Sequence, residues 1–404
     1  MNMKRVNFGF FPALVCISLL LLFTPIAAAE PETEQESVST HAKAASLIDV
    51  ESGRILYSSH GDESMLIASL TKIMTAIVAI ENGDLSSKVK VGKNAFAKEG
   101  SSLFLKMGEE MTLENMLYGL MLRSGNDAAT AIAEHVGGSE EGFVHLMNAK
   151  AEELGLAHSH FANPHGLDAE GHFSTANDLA KLTAYALHNP VFKEIVKTQV
   201  KTADNPYDKW DYKWSNKNKM LRLYDGADGV KTGYTKKALR CLVSSATRGE
   251  QQLVAVTLND GNDWNDHAAL LDFGFNRFPL RTIIERGERL EGYNLAAGLN
   301  FAYPFRQGEQ ERFVTELVLN STKPAKDGAD KSFGLRGTLV LKLDGKPIGQ
   351  VPVYDPGRLP PEQSPYMDKS ASTSAYPADT WLQAAGSALR ALFRIGKEGG
   401  VSHD

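Results

Sequence analysis

Two β-hairpin patterns stand at opposite ends of a run of amphipathic helices, and that order leaves few folds open. In the first, residues 45–57 alternate apolar and polar around Glu51-Ser52-Gly53, as two strands joined by a tight turn do. The second joins the apolar runs 241–246 and 253–258 across Arg248-Gly249-Glu250. Between them, helical spacing predicts a helix from Ser69 to about Glu81, with Ile73, Ile77 and Ile80 on one face and Asn82-Gly83 as its stop. Further helices are expected over 113–122, 127–135, 140–154 and 177–187, and one over about 264–273 closes the region. Strands at both ends with helices between predict an α+β fold, an antiparallel sheet flanked by helices.

This main domain is expected over residues 44–280. From about residue 281 the helical periodicity ends and strand patterns at 313–319, 338–343 and 348–353 take over, with Asp344-Gly345-Lys346 as a hairpin turn. Residues 284–355 therefore read as a small all-β domain, and the Pro- and Ser-rich stretch 356–377 as a linker. On a helical wheel of the tail, 378–397, Trp381, Leu382, Ala385, Leu389, Leu392 and Phe393 share one half, while Gln383, Arg390, Arg394 and Lys397 share the other. An amphipathic C-terminal helix on an anionic membrane surface fits that division; a helix docked on its own domain is the plainer alternative.

The opposite end reads as an export signal. Lys4 and Arg5 precede an apolar run over 8–23, and the small residues Ala27, Ala28 and Ala29 follow Pro25, which predicts a signal peptide over 1–29 cleaved after Ala29. An uncleaved anchor is the rival, for which the run is short. Residues 30–43 are expected as a disordered leader. Removal of the signal peptide takes Cys16 away and leaves Cys241 as the one remaining cysteine, so no internal disulfide is expected. Within its apolar run Cys241 reads as a buried small hydrophobe. A net charge of -6 argues against a nucleic-acid binder. The eleven histidines include no H-E-x-x-H and meet no paired cysteines, so no metal or other cofactor is expected.

Three short clusters could carry chemistry. Ser69-Leu70-Thr71-Lys72 sets a hydroxyl and an amine three residues apart, on one face of the expected helix. A neutral lysine beside a serine can take its proton, and burial or nearby positive charge favours the neutral amine. The helix start would also favour developing negative charge. The pattern alone is not specific: S-x-x-K recurs at Ser87–Lys90, a threonine version spans Thr40–Lys43, and about one or two chance matches are expected at this length. Of these, only Ser69 opens an apolar-faced helix.

Ser124-Gly125-Asn126 lies between two expected helices, where such residues commonly cap and turn the chain. The functional reading makes Ser124 a proton relay and Asn126 an amide that holds a peptide backbone. Lys231-Thr232-Gly233 follows Gly226 and Gly229, but Val230 occupies the place a phosphate-binding loop gives to glycine. The other reading is an edge strand on which Lys231 and Thr232 bind a carboxylate while Gly233 admits a ligand close to the backbone.

In this order, S-x-x-K, S-x-N and K-T-G form the set shared by penicillin-binding proteins and β-lactamases. The longer stretches 68–75, 123–129, Asn163-Pro164-His165-Gly166-Leu167 and 229–235 resemble D-alanyl-D-alanine carboxypeptidases, the low-molecular-mass penicillin-binding proteins of the serine DD-peptidase family. The resemblance covers about residues 44–276, and the trailing β domain and amphipathic tail are also family-like. It implies a β-lactamase/transpeptidase-like sheet and removal of the terminal D-alanine from peptidoglycan stem peptides. It further implies that Ser69 attacks the carbonyl between the two D-alanines, Lys72 is general base and Ser124 passes the proton to the leaving amine. Asn126 would position the peptide, Lys231 and Thr232 hold the terminal carboxylate, and the N–H groups of Ser69 and Tyr234 form the oxyanion hole beside Gly233. β-Lactams would acylate Ser69 as covalent inhibitors, and the enzyme would work exported, at the outer face of the cytoplasmic membrane or in the wall.

Two departures stand out. Ile67 replaces the proline many relatives carry before Ala-Ser, and residues 259–267 lack the arginine that some use for the substrate carboxylate. Lys231 alone, Arg248 or His267 could take that part. His165 reads as a structural member of its loop, and Glu170 is no convincing second base. A β-lactamase and a non-catalytic wall-binding scaffold are the rival functions.

Overall fold

The computed structural model describes residues 38–320 and 334–360. The expected signal peptide, most of the leader, all but the first residues of the linker and the C-terminal helix lie outside them. Among the described residues, no helix is long and apolar enough to cross a membrane.

Strands β1 (Ala42–Asp49) and β2 (Ile55–Ser59) form the first hairpin. β1 begins inside the stretch expected as leader, because Asp266 accepts a hydrogen bond from the backbone N–H of His41 and anchors the chain there. A 3-10 turn, Ala68–Thr71, leads into α1 (Lys72–Asn82), which Gly83 ends as expected. The short strands β3 (Lys88–Lys90) and β4 (Glu110–Thr112) precede α2 (Leu113–Arg123), α3 (Asn126–Gly137), α4 (Glu140–Glu153) and α5 (Ala176–Leu187). Thr112, Ser139 and Thr175 cap the N-termini of α2, α4 and α5 through their hydroxyls, which satisfies N–H groups the helices leave unpaired.

Helix α6 (Pro190–Lys197) and the hairpin of β5 (Val200–Ala203) and β6 (Tyr212–Ser215) are additions to the expected elements, followed by the single turn α7 (Met220–Leu223). Strands β7 (Ala227–Thr235), β8 (Leu239–Arg248) and β9 (Gln251–Asp260) and helix α8 (Asp263–Arg277) complete this part. The main sheet runs β2-β1-β9-β8-β7, antiparallel throughout, with β7 at its edge.

Alternation along the strands divides the two faces. Ala44 and Ile48 of β1, with Val243, Val254 and Val256, join the large core that also holds α1 to α6. Leu47 and Leu253 point the other way, onto α8, where Gly274 approaches so closely that an added methyl would lie 2.6 Å from Leu253. Cys241 is fully buried, and burial pushes its thiol up to about 11.

β10 (Leu280–Ile284) pairs with β12 (Phe301–Pro304), while β11 (Ala296–Ala297), β15 (Lys346–Tyr354), β14 (Leu335–Leu343) and β13 (Phe313–Leu319) make a four-stranded sheet in that order. Its separate core is built on Leu295, Leu339, Leu341, Val351 and Val353. The register Leu343↔Lys346 leaves Asp344 and Gly345 as a two-residue loop, both at positive φ, the turn that matches strand twist. The molecule is thus the α+β architecture expected, an antiparallel sheet between helices followed by a small β sheet.

Candidate active site

Lys72 is the first α-helical residue after the turn that carries Ser69, and it is wholly buried. Its Nζ lies 3.1 Å from Ser69 Oγ, 2.7 Å from Asn126 Oδ1 and 2.5 Å from the carbonyl oxygen of His165. Burial, reinforced by the charges of Lys231 and Lys217, holds this amine well below the ordinary lysine range. A neutral amine at hydrogen-bond distance from a hydroxyl is the arrangement a general base requires.

The loop between α2 and α3 supplies the second cluster. Ser124 sits in the left-handed region at φ 66°, and its buried Oγ has no hydrogen-bond partner among the described residues. Asn126 is tied at both ends of its amide, to Lys72 and, through Nδ2, to the carbonyl of Glu99 at 2.7 Å. Asp127 fixes the same 99–105 loop by accepting from the N–H groups of Leu103 and Leu105.

Edge strand β7 forms the opposite wall. A methyl added at Gly233 would lie 3.2 Å from Ile67 O and 3.3 Å from Ser69 N, so the missing side chain is what lets the strand backbone lie beside the turn that carries Ser69. Lys231 is buried, and burial together with Lys217 brings its ammonium down to about 7. Thr232 is half-buried and the Tyr234 side chain is exposed. At the end of the strand, Thr235 Oγ1 donates to Asp168 at 2.9 Å. Ser69, Lys72, Asn126 and Gly233 thus come from three distant stretches of chain to one place, where the charge of Lys231 acts on Lys72; Ser124 flanks Asn126, and Thr232 and Tyr234 flank Gly233.

The decoys separate from them. Ser87 is half-buried, and its hydroxyl bonds Asp84 and His135. Glu170 is exposed in the loop after Leu167. Arg248 and His267, the alternatives for carboxylate binding, are corrected by position. Lys231 pairs with Val243, and Arg248 is five residues farther along β8, about 17 Å away, where it bonds Asp272 and Tyr224. His267 is a buried residue of α8, bonded to Ser244 and Thr257 on the face of the sheet opposite Lys231. The sequence reading missed Lys217, whose Nζ lies 3.2 Å from Ser101 Oγ and whose charge acts on both buried lysines. It acts through space, and no local motif marks it.

A family model described as D-alanyl-D-alanine carboxypeptidase matches residues 29–262. The chain belongs to the D-alanyl-D-alanine carboxypeptidase family. It is 35% identical over 359 residues to the D-alanyl-D-alanine carboxypeptidase DacF of Bacillus subtilis, covering 83% of this chain and 90% of that one. It is 34% identical over 362 residues to DacC of Escherichia coli, covering 83% and 88%. Among solved structures, penicillin binding protein 5 of Haemophilus influenzae superposes with a TM-score of 0.64 at 27% identity, over 79% of this chain and 97% of that one. The carboxypeptidase is accordingly a serine-type enzyme of peptidoglycan metabolism.

Proposed function

We propose that Ser69 is the acylated nucleophile of this carboxypeptidase and that Lys72 is its base. The supporting observation is the wholly buried Lys72 amine 3.1 Å from Ser69 Oγ, which burial holds well below the ordinary lysine range. Ser69 Oγ attacks the carbonyl carbon between the two D-alanines while its proton passes to Lys72 Nζ. The tetrahedral oxyanion is taken by the N–H groups of Ser69 and Tyr234. The C–N bond then breaks, and the proton returns through the unpartnered Ser124 hydroxyl to the departing D-alanine amine. Asn126 orients the stem peptide, and the charge of Lys231 with the Thr232 hydroxyl receives the terminal carboxylate. Water, activated by Lys72, hydrolyses the ester.

In this reading, residues 44–280 make up the peptidase domain and 284–355 a separate β domain. The basic, sided tail at 378–397 lies on the membrane surface, and the export signal at 1–29 carries the enzyme out of the cytoplasm; loss of vesicle binding on deletion of 378–404, with peptidase activity kept, is the expected result, and unchanged binding contradicts it. The enzymatic test compares diacetyl-lysyl-D-Ala-D-Ala with nitrocefin. Release of one D-alanine per peptide, with nitrocefin acylating but turning over slowly, supports the carboxypeptidase; rapid nitrocefin turnover without D-alanine release makes it a β-lactamase.

A further inference from the structure

Ala68, the residue before the nucleophile, is held at φ +47° although it is not glycine, a conformation that costs about 1 kcal/mol or more unless its surroundings fix it. The Ala68 carbonyl and the Ser69 N–H are opposite ends of one planar peptide group, so whatever fixes the carbonyl also aims the N–H. Thr71 Oγ1 lies 2.8 Å from that carbonyl oxygen and donates to it. A hydroxyl has one proton, so its other hydrogen bond, with His172 Nε2 at 2.7 Å, must be one it accepts.

The histidine gives the same answer from its other side. His172 Nδ1 lies 3.0 Å from the backbone nitrogen of Ala162, which can only donate, so Nδ1 is the acceptor and the ring proton sits on Nε2. The direction of the relay is thereby fixed: Ala162 N–H to Nδ1, Nε2–H to Thr71 Oγ1, and Thr71 O–H to the Ala68 carbonyl. Ala68, Thr71 and His172 are all buried. Burial keeps the imidazole neutral by bringing it down to about 4. From the same loop, Gly166 packs so tightly that an added methyl would sit 2.0 Å from Ala68 O.

We infer that His172 and Thr71 are positioning residues that aim the Ser69 N–H at the developing oxyanion, through the Ala68 carbonyl. The inference rests on the reading above that this N–H is one of the two oxyanion donors. Each hydrogen bond toward the carbonyl also polarises the peptide and makes its N–H a better donor. Neither side chain touches substrate; the effect is carried by a single peptide plane.

The test uses the full exported chain and measures acylation by benzylpenicillin, turnover of diacetyl-lysyl-D-Ala-D-Ala and inhibition by a boronic acid that forms a tetrahedral adduct on Ser69. Thr71→Val keeps the shape and removes the relay; His172→Leu removes its far end. Each is expected to lower the acylation rate constant about 10- to 100-fold, below the ~100- to 1000-fold typical of losing an oxyanion donor outright. The boronate should weaken by a similar factor, while the dissociation constant of the initial penicillin complex stays near wild type. The double variant should be no worse than either single one, because both break one relay. His172→Gln, which can accept from Ala162 and donate to Thr71, should recover acylation to within a few-fold. Should Thr71→Val not fold, Thr71→Ala is read in its place, with Thr71→Ser as the variant expected to retain activity. Wild-type acylation in a folded relay variant, losses confined to initial binding, or additive losses in the double variant would overturn the inference. Ser69→Ala separates the two levels: retained activity there sinks the parent reading, whereas its loss beside an unaffected Thr71→Val sinks only the relay.

Discussion

Two buried lysines with opposite duties share one field. In the proposed mechanism Lys72 must be neutral to accept a proton, and Lys231 must be charged to attract a carboxylate. Burial lowers both, and Lys217 lowers both further. The base works above its own pKa and is lost as pH falls through it, while the Lys231 charge is lost as pH rises through about 7. Removing Lys217 takes away a like charge, so both lysines hold their protons to higher pH. Lys217→Ala is therefore expected to move both limbs of the kcat/KM profile to the alkaline side, and Lys217→Arg to leave them in place. An unmoved or acid-shifted profile in Lys217→Ala would show that this charge does not reach the site. Added salt should shrink the difference between the two variants, because Lys217 lies at an exposed position.

The Asn163-Pro164-His165-Gly166-Leu167 loop works mainly through its backbone. The carbonyl of Pro164 accepts from Thr75 Oγ1 at 2.6 Å, and that of His165 accepts from Lys72. Gly166 has φ +85° and lies directly against the Ala68 carbonyl. Gly166→Ala therefore meets both an unfavourable backbone region and a contact with no room, and should destabilise the protein by about 2 kcal/mol or more. Urea unfolding that matches wild type would contradict this packing. A side-chain pattern suggests that such a loop is structural, yet it cannot say which carbonyl reaches the Lys72 amine. Helix α6 escaped for a different reason. Asn189-Pro190 reads as a turn, but Asn189 Oδ1 accepts from the N–H groups of Val191 and Phe192, so the pair is a cap with proline at the first helical position. The short β5–β6 hairpin has four-residue strands, with too few alternations to register.

Across the whole molecule, the main sheet joins the first strand of the described chain to the last hairpin before α8, since β1 pairs with β9. That closure sets edge strand β7 against the start of α1. Order, spacing and the hairpin–helix–hairpin pattern made this much legible, because each rests on local periodicity. The fate of Arg248 and His267 was not legible, since it depends on register and on which face of the sheet each residue takes. The β sheet of the C-terminal part is tied back by Arg54, which pairs bidentately with Glu309 at 2.7 Å and lies over the rings of Phe278 and Tyr303. That junction joins a loop of the first hairpin to residues the sequence assigned to another domain, a contact no motif announces. The central claim is that one serine, activated by one buried lysine, carries the acyl group. Peptide mapping by mass spectrometry after benzylpenicillin treatment tests it most directly. One drug molecule should appear on the peptide containing Ser69, absent in Ser69→Ala and formed about 100-fold more slowly or worse in Lys72→Ala. An adduct on any other residue, or one that persists in Ser69→Ala, would contradict the account.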